Sequence, residues 1–283
     1  MKNIVVRKIA LFSVWIASLF SGAEMFAQER EEFGYNQHSL RPIKTSDQLF
    51  KKTLWYLIDL REKQNKPLNA KGYELTGLLI EAVKQGLLRP FTDDNLNERL
   101  SLDEFMTRIT KQKPTQEDEL FPDMGEDDDM WSNETEQSTT NEPVYYLPGK
   151  ELYLIELKED LIFDKKRSRM YRDIQTIKLI LPAEVNLTGV DKEIATFLYK
   201  EVVENVFKDN PKAIWFNNNN PREHRNMAEA FDLRLFSAHL TKYENGEDAT
   251  IMDIFNGSPE AAMYAALQIE YALLEFETNL WEN

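Results

Sequence analysis

The chain has 283 residues, of which 42% are apolar and 29% are charged, a composition typical of a folded globular protein. It contains no cysteine, which excludes disulfides, zinc–thiolate sites, iron–sulfur clusters, cysteine nucleophiles and a bacterial lipoprotein anchor. The three histidines, His38, His224 and His239, are too few for a His-rich metal site. The net charge of −15 argues against nucleic acid and anionic membrane surfaces as partners.

Residues 1–27 are predicted to be a signal peptide. Three basic residues precede an apolar run over residues 9–20, which is short for a membrane span but typical of an export signal. We expect cleavage after Ala27, although cleavage after Ala23 and a retained N-terminal anchor are alternatives. The mature chain is therefore expected to be periplasmic and, without cysteine, to carry no lipid.

The first module, residues 28–113, is predicted to be helical. Thr45 or Ser46 is expected to cap a first helix, whose apolar positions lie between residues 49 and 60 and which Asn65-Lys66-Pro67 would end. A second helix is predicted over residues 73–85, with Gly86 as the glycine that ends it. Ser101 is followed three residues later by a glutamate, a capping box that predicts the start of a third helix.

Residues 114–143 are predicted to be a solvated linker between the first module and a second one, residues 144–283. The segment contains eleven acidic residues and no lysine or arginine, so it cannot bury enough apolar surface to offset the entropy of ordering it. A calcium loop beginning at Asp123 is the alternative. That pattern fails because an EF-hand loop has glycine at its sixth position, where this sequence has Asp128.

The second module is predicted to begin with strands. Runs rich in β-branched, aromatic and aliphatic residues over residues 151–158 and 169–181 predict them, and Pro182 would end the later one. Helices are expected to follow. The fold class expected is therefore α+β, with a helical N-terminal module, then a β-rich segment followed by helices.

Three helices are predicted in the rest of the second module. Helical spacing extends over residues 191–207, and further helices are expected to open at Asn220-Pro221 and at Ser258-Pro259. His224 and His239 would then lie about 22 Å apart on one helix. That separation is too large for the two side chains to share a metal ion or a proton.

Motifs that identify an enzyme are absent from the sequence. It has no glycine-rich phosphate loop, no HExxH metal motif and no GxSxG nucleophile elbow. A pair of carboxylates drawn from distant strands, as in glycosidases, stays open as an alternative. We therefore expect no enzymatic activity, no cofactor and no metal.

Two charged clusters are the candidate partner interface, because arginine and aromatic residues dominate interface hot spots. Their members are Trp55, Asp59 and Arg61 in the first cluster and Asp164, Arg167 and Arg169 in the second. The spacing of Trp55 and Asp59 would place both on one face of the predicted helix. Arg167 and Arg169 would point to the same side of an extended segment. Local ion pairing on a solvated surface is the alternative for both clusters.

Several short motifs also occur in order along the chain. They are Leu54-Trp55, Ile58 to Lys63 with Asn65 and Pro67, Leu157 to Asp160, Ile162 to Lys165 with Arg167-Ser168, Trp215 to Asn218 with Asn220, Phe236-Ser237, and Phe276-Glu277 with Leu280 to Glu282. Together they resemble the GldN/PorN family of gliding-motility proteins of the Bacteroidota type IX secretion system. The acidic segment 114–143 and the residues after Lys242 depart from the family pattern, so a divergent paralogue or a different ring partner is an alternative.

The resemblance implies a non-enzymatic periplasmic component that is associated with the outer membrane. It implies large hetero-oligomeric rings formed with an outer-membrane lipoprotein of the GldK/PorK type, and contact with an inner-membrane-anchored motor protein of the GldM/PorM type. No nucleic acid partner is implied. Two functions of other classes stay as alternatives: a periplasmic binding protein for a surface polysaccharide or lipoprotein, and a hydrolase of unrecognised type.

Overall fold

A computed structural model describes residues 34–36, 38–111, 144–220, 222–255 and 257–282. The predicted signal peptide, residues 1–27, and the predicted linker, residues 114–143, lie outside these ranges and stay predictions. The predicted boundaries of the two modules likewise stay predictions.

The described residues form seven strands and six α-helices. The strands are β1 Gln48–Asp59, β2 Leu154–Asp164, β3 Arg169–Leu181, β4 Lys192–Leu198, β5 Ile214–Trp215, β6 Arg225–Asn226 and β7 His239–Tyr243. The helices are α1 Leu75–Lys84, α2 Leu102–Arg108, α3 Tyr199–Val202, α4 Met227–Asp232, α5 Ile251–Ile254 and α6 Pro259–Glu282. Single 3-10 turns at Thr45–Asp47 and Lys66–Leu68 and a π-helical turn at Val203–Phe207 lie between them.

Five strands form one antiparallel sheet in the order β4-β3-β2-β1-β7. Strands β2, β3 and β4 follow one another in both the chain and the sheet, whereas β1 comes from far upstream and lies between β2 and β7. Strands β5 and β6 form a separate antiparallel pair in which Ile214 lies opposite Asn226. The predicted α+β class is therefore confirmed.

The chain divides into two compact units, and β1, β2 and β3 contribute residues to both. The first unit consists of Met1–Tyr56, Leu157–Thr176 and His239–Asn283. The second unit consists of Leu57–Glu156 and Ile177–Ala238. Each unit therefore contains residues that precede the acidic segment 114–143 and residues that follow it.

In the first unit, the long helix α6 packs against β7 and α5. Ala265 and Leu273 are buried on its inner face. The ring of Phe276 lies 4.7 Å from that of Phe50 on β1, measured between centroids. The helix opens at Ser258-Pro259 as predicted, since proline is favoured in the first turn, where no N–H partner is needed.

In the second unit, aromatic rings gather around Phe231. The ring centroids of Tyr199, Phe207 and Phe236 lie 5.9 Å, 6.1 Å and 5.4 Å from that of Phe231. Helix α1 buries one apolar face, and Gly86 follows it with a φ of +74°, the left-handed conformation that ends many helices. The second predicted helix and its terminating glycine are therefore confirmed.

The first predicted helix, with apolar positions between residues 49 and 60, is wrong, because Gln48–Asp59 forms β1. The side chains of Leu54, Tyr56, Ile58 and Leu60 are all buried. Such a dense apolar run suits a strand covered on both faces as well as a helix. Pairing with β2 and β7 decides in favour of the strand. A wholly helical N-terminal module is thus not supported, although α1 and α2 lie in it.

The predicted helix over residues 191–207 is wrong for its first half. Lys192–Leu198 forms β4, an edge strand of the sheet, and α3 and the π-helical turn follow it. Residues 194–198 are all buried. Periodicity alone does not distinguish a short, continuously apolar run of this kind from a helix.

The helix expected to open at Asn220 begins instead at Met227. The side chain of Asn226 caps it by accepting a hydrogen bond of 2.8 Å from the backbone N–H two residues further on. This helix, α4, is short, and His239 begins β7 rather than extending it. His224 and His239 therefore do not share a helix, although the sequence had predicted that they would.

Candidate functional site

Arg61, in the turn after β1, is the centre of the first charged cluster. Its guanidinium donates to Asp59 Oδ2 at 2.9 Å and to Glu184 Oε2 at 3.0 Å. It also stacks on Tyr153, with Cζ 3.7 Å from the ring centroid. The turn is held in place because Asp59 Oδ1 accepts the backbone N–H of Arg61 at 2.8 Å. All four residues belong to the second unit.

The electrostatics of this cluster favour binding over proton transfer. The Tyr153 hydroxyl donates to Glu184 Oε2 at 2.9 Å. Burial, together with this hydrogen bond to a carboxylate, raises the pKa of Tyr153 to about 12. Hydrogen bonds from Tyr153 and Arg61 lower the pKa of Glu184. Tyr153, Glu184 and Arg61 therefore each keep one charge state around neutral pH. A general acid or base would need to gain or lose a proton in that pH range.

The second charged cluster lies in the turn between β2 and β3. The buried Asp164 accepts the backbone N–H of Lys166 at 2.8 Å and a guanidinium N–H of Arg167 at 2.8 Å. Burial alone would raise the pKa of Asp164, but these hydrogen bonds outweigh it and lower the pKa. Arg167 and Arg169 are both exposed. They do not alternate along one strand as expected, because Arg167 belongs to the turn and β3 begins at Arg169.

Trp55 is buried in β1 and lies under two lysines. The ammonium groups of Lys158 and Lys242 lie 5.3 Å and 4.7 Å from the centroid of its ring. Cation–π contacts of this kind stabilise the fold around the indole. Because residues 49–60 form a strand, the helical face predicted for Trp55 and Asp59 does not exist. The assignment of Trp55 to a partner interface stays a prediction.

A third charged cluster, around Lys178 of β3, was not predicted from the sequence. The buried Lys178 Nζ lies 2.8 Å from Asp94 Oδ2, 2.9 Å from Glu156 Oε1 and 2.8 Å from Glu193 Oε1. Burial alone would lower the pKa of Lys178, but the carboxylates raise it, and burial raises the pKa of Glu156. A lysine inside a strand of apolar residues is the signal that could have revealed it, because a buried ammonium needs anionic partners.

A fourth charged group, which includes the buried Glu159 and the partly buried Asp173, lies in the first unit. Arg172 of β3 donates to Glu159 Oε1 of β2 at 2.8 Å. The next residue, Asp173, accepts hydrogen bonds from Asn36 Nδ2 at 2.7 Å and Gln175 Nε2 at 2.8 Å. Burial raises the pKa of Asp173 to about 6, because the hydrogen bonds it accepts from Ser39 and the two amides come from neutral groups and only partly offset the loss of solvation. Asp173 is therefore a group that titrates between acidic and neutral pH.

Asn65 is fully buried and joins distant parts of the second unit. Its Nδ2 donates to the Asp59 carbonyl at 2.8 Å and to the Ser237 carbonyl at 2.9 Å, and its Oδ1 accepts the Ser237 N–H at 2.7 Å. In the same unit, the backbone N–H of Phe216 donates to the Pro67 carbonyl at 2.9 Å. Residues from separate sequence motifs are thus connected by hydrogen bonds.

The described residues form open cavities but no metal-binding cluster. Within them, no group of three or more histidines and carboxylates is placed to hold a metal ion. A cavity of about 390 Å³ in the second unit includes the Glu81–Lys212 ion pair in its lining, but no Ser, Thr, His or Tyr. Its lining therefore lacks a hydroxyl or imidazole for nucleophilic catalysis. In the same described ranges, every helix is too short or too polar to cross a bilayer.

A family model for the gliding motility associated protein GldN matches residues 43–282. The chain belongs to the GldN family. The resemblance based on the short motifs is therefore confirmed, and membership implies an association with gliding motility and type IX secretion. No curated protein matched the chain. In this GldN-family chain, the motif residues Asn65 and Ser237 act inside the fold, where they hold β1 and the segment before β7.

Proposed function

We propose that this GldN-family chain is a non-enzymatic structural subunit of the type IX secretion and gliding machinery. In this proposal it is periplasmic, forms a ring with an outer-membrane lipoprotein of the GldK/PorK type, and contacts an inner-membrane-anchored protein of the GldM/PorM type. The observation that carries the proposal is the family match over residues 43–282. A subunit of this kind acts by presenting stable binding surfaces rather than titrating groups.

The geometry of the two arginine clusters supports a binding role. Arg61 and Arg167 are exposed, yet each already donates to a carboxylate of its own unit. Their guanidinium groups are therefore oriented before a partner arrives, which lowers the entropy lost on binding. Arg61 is the better oriented of the two, because Tyr153 and Glu184 also hold it.

Co-expression with the lipoprotein tests the proposal. Size-exclusion chromatography with light scattering should show one assembly much larger than a single copy of each protein. Arg61→Ala should reduce co-elution, and Arg99→Ala is its matched control. Arg99 is likewise exposed, paired with Glu201 at 2.7 Å, and stacked over the Phe91 ring at 4.3 Å.

Three results would contradict parts of this proposal. Separate elution of the chain and the lipoprotein would exclude the ring. Equal losses of co-elution for Arg61→Ala and Arg99→Ala would show that Arg61 has no special role. In cells, deletion of the gene should abolish secretion of proteins that carry the C-terminal secretion signal, and unchanged secretion would exclude a role in the machinery.

A further inference from the structure

The outer face of α6 carries a row of exposed apolar side chains. Tyr264, Leu267, Tyr271 and Leu274, which we call the outer row, are between 44% and 69% exposed. The two tyrosines alone expose about 250 Å², if a whole tyrosine side chain is taken as about 200 Å². With the two leucines added, the row reaches the size of the largest apolar patch on a typical soluble monomer, about 300–600 Å², and such patches are often functional.

The opposite face of α6 is already covered by the first unit. Ala265 and Leu273 are buried there, and Phe276 contacts Phe50. The outer row lies about half a turn away from these positions, since a helix advances by about 100° per residue. An apolar stripe along a helix is normally packed against another element. The outer row is therefore a second packing face, and the described residues of the first unit do not bury it.

The spacing of the outer row is that of a coiled-coil seam. Its members follow one another at intervals of three, four and three residues, which are alternating a and d positions of a heptad. From Leu267 onward, the flanking e and g positions are Gln268, Glu270, Glu275 and Glu277, and the g position before Tyr264 is Met263. In coiled coils, ion pairs at these positions determine which helix is accepted as a partner. Here the flanks carry glutamate and glutamine and no cation.

We propose that the outer row of α6 binds an amphipathic helix of another protein whose flanking positions carry lysine or arginine. After Lys242 the sequence contains nine acidic residues and no lysine or arginine. A second copy of this chain would place glutamates opposite glutamates, which costs free energy. The acidic segment 114–143 and an anionic membrane surface are disfavoured for the same reason. The identity of the proposed secretion partners does not enter this inference.

Binding of two synthetic helical peptides to the purified chain tests the proposal. Both peptides have about four heptads with leucine and isoleucine at a and d, and they differ only at e and g, where one has lysine and the other glutamate. In fluorescence anisotropy, the lysine peptide should bind about tenfold more tightly than the glutamate peptide, or better. Its affinity should fall as salt is added, because ions screen the pairs.

A double variant separates the apolar row from general charge attraction. Leu267→Ser with Leu274→Ser keeps every charge but removes two seam residues, so it should weaken binding of the lysine peptide about tenfold or more. The control, Leu187→Ser with Val190→Ser, removes two similarly exposed side chains between β3 and β4 and should leave binding unchanged. Both double variants should melt near the wild-type temperature, because the replaced side chains are exposed.

Four results would overturn the proposal. Equal binding of the two peptides would remove the charge argument, and unchanged binding by the Leu267/Leu274 variant would leave only general attraction. A wild-type dimer that this variant converts to a monomer in analytical ultracentrifugation would assign the row to a second copy. Binding to neutral phosphatidylcholine vesicles that the variant abolishes would assign it to a membrane. None of these measurements involves the lipoprotein or Arg61, so their failure is distinct from failure of the proposed function.

Discussion

Replacing Lys178 with methionine should destabilise the second unit by about 3–5 kcal/mol, because it leaves a group of carboxylates without their cation. The Lys178 side chain is only 6% exposed, and its Nζ lies 2.8–2.9 Å from Asp94, Glu156 and Glu193. At an effective dielectric constant of about 20, one such contact corresponds to about 6 kcal/mol of Coulomb attraction. Desolvation of the ammonium and of Glu156, together with repulsion among the three carboxylates, cancels most of the summed attraction of the three contacts.

Thermal unfolding followed by circular dichroism measures this loss. For a chain of this size, each kcal/mol corresponds to about 2–4 °C, so the midpoint should fall by about 6–20 °C. Lys212→Met is the matched control. Lys212 forms an exposed ion pair with Glu81 at 3.3 Å, and such pairs contribute under about 1 kcal/mol.

The loss should also depend on pH. Without Lys178, the pKa of Glu156, already raised by burial, rises further. The folded variant then binds more protons than the unfolded chain above the unfolded-state pKa of about 4.3. Its stability therefore falls as pH rises through that window, and the difference from wild type should be larger near pH 8 than near pH 5. Equal midpoints for Lys178→Met and wild type, or equal losses for Lys178→Met and Lys212→Met, would refute the reasoning.

Three further predictions concern the other clusters. Asn65→Ala removes three hydrogen bonds of 2.7–2.9 Å and leaves backbone groups of Ser237 unpaired, so the free energy of unfolding should fall by about 2–4 kcal/mol in thermal unfolding. A loss smaller than that of an exposed ion pair would contradict this role of Asn65. The pKa of Asp173 is raised from 3.8 to about 6 in the folded state, so wild-type stability should fall as pH rises through this range, by roughly 2–3 kcal/mol. Asp173→Asn should abolish that part of the fall in urea unfolding curves, and an identical pH profile would show that Asp173 does not titrate there. Arg61→Ala and Arg167→Ala should each weaken co-purification with the lipoprotein while the melting temperature changes little, because exposed ion pairs contribute little to stability. Normal binding by both folded variants would show that the two arginines only brace the fold.

Helix and strand ends that are set by residues next to them in the sequence could be predicted. Ser101 begins α2 through the expected capping box, in which its hydroxyl and the Glu104 carboxylate each accept the other's backbone N–H. Gly86 ends α1 with a positive φ, and Pro182 directly follows β3. These signals act within one turn or one strand end, so they do not depend on distant partners.

Two elements whose type depends on distant partners were predicted wrongly, although β2 and β3, which depend on such partners as well, were predicted as strands. Residues 49–60 and 192–198 contain dense apolar runs that fit a helix and a buried strand equally well. The first run is a strand because β2 and β7 provide backbone hydrogen-bonding partners on both sides, and the second because β3 does so on one side. These partners lie elsewhere in the chain, where local periodicity carries no information about them.

In the candidate site, too, local contacts could be expected from the sequence, whereas contacts between distant residues could not. The pair Asp59 and Arg61 is local, and local ion pairing was one of the two interpretations of this cluster from the sequence. Glu184 lies 123 positions from Arg61, and only the fold brings its carboxylate to the guanidinium. The Lys178 cluster likewise draws its three carboxylates from three separate segments.

By itself, the sequence determined the family, the acidic character, the absence of thiol chemistry, and the elements that begin and end on local signals. The tertiary structure decided that residues 48–59 are a strand, that Trp55 is buried, and that α6 has a second apolar face that remains exposed. The physical reason is the range of the interactions: caps and turns act over a few residues, whereas sheet pairing, burial and buried ion pairs join residues far apart in the chain.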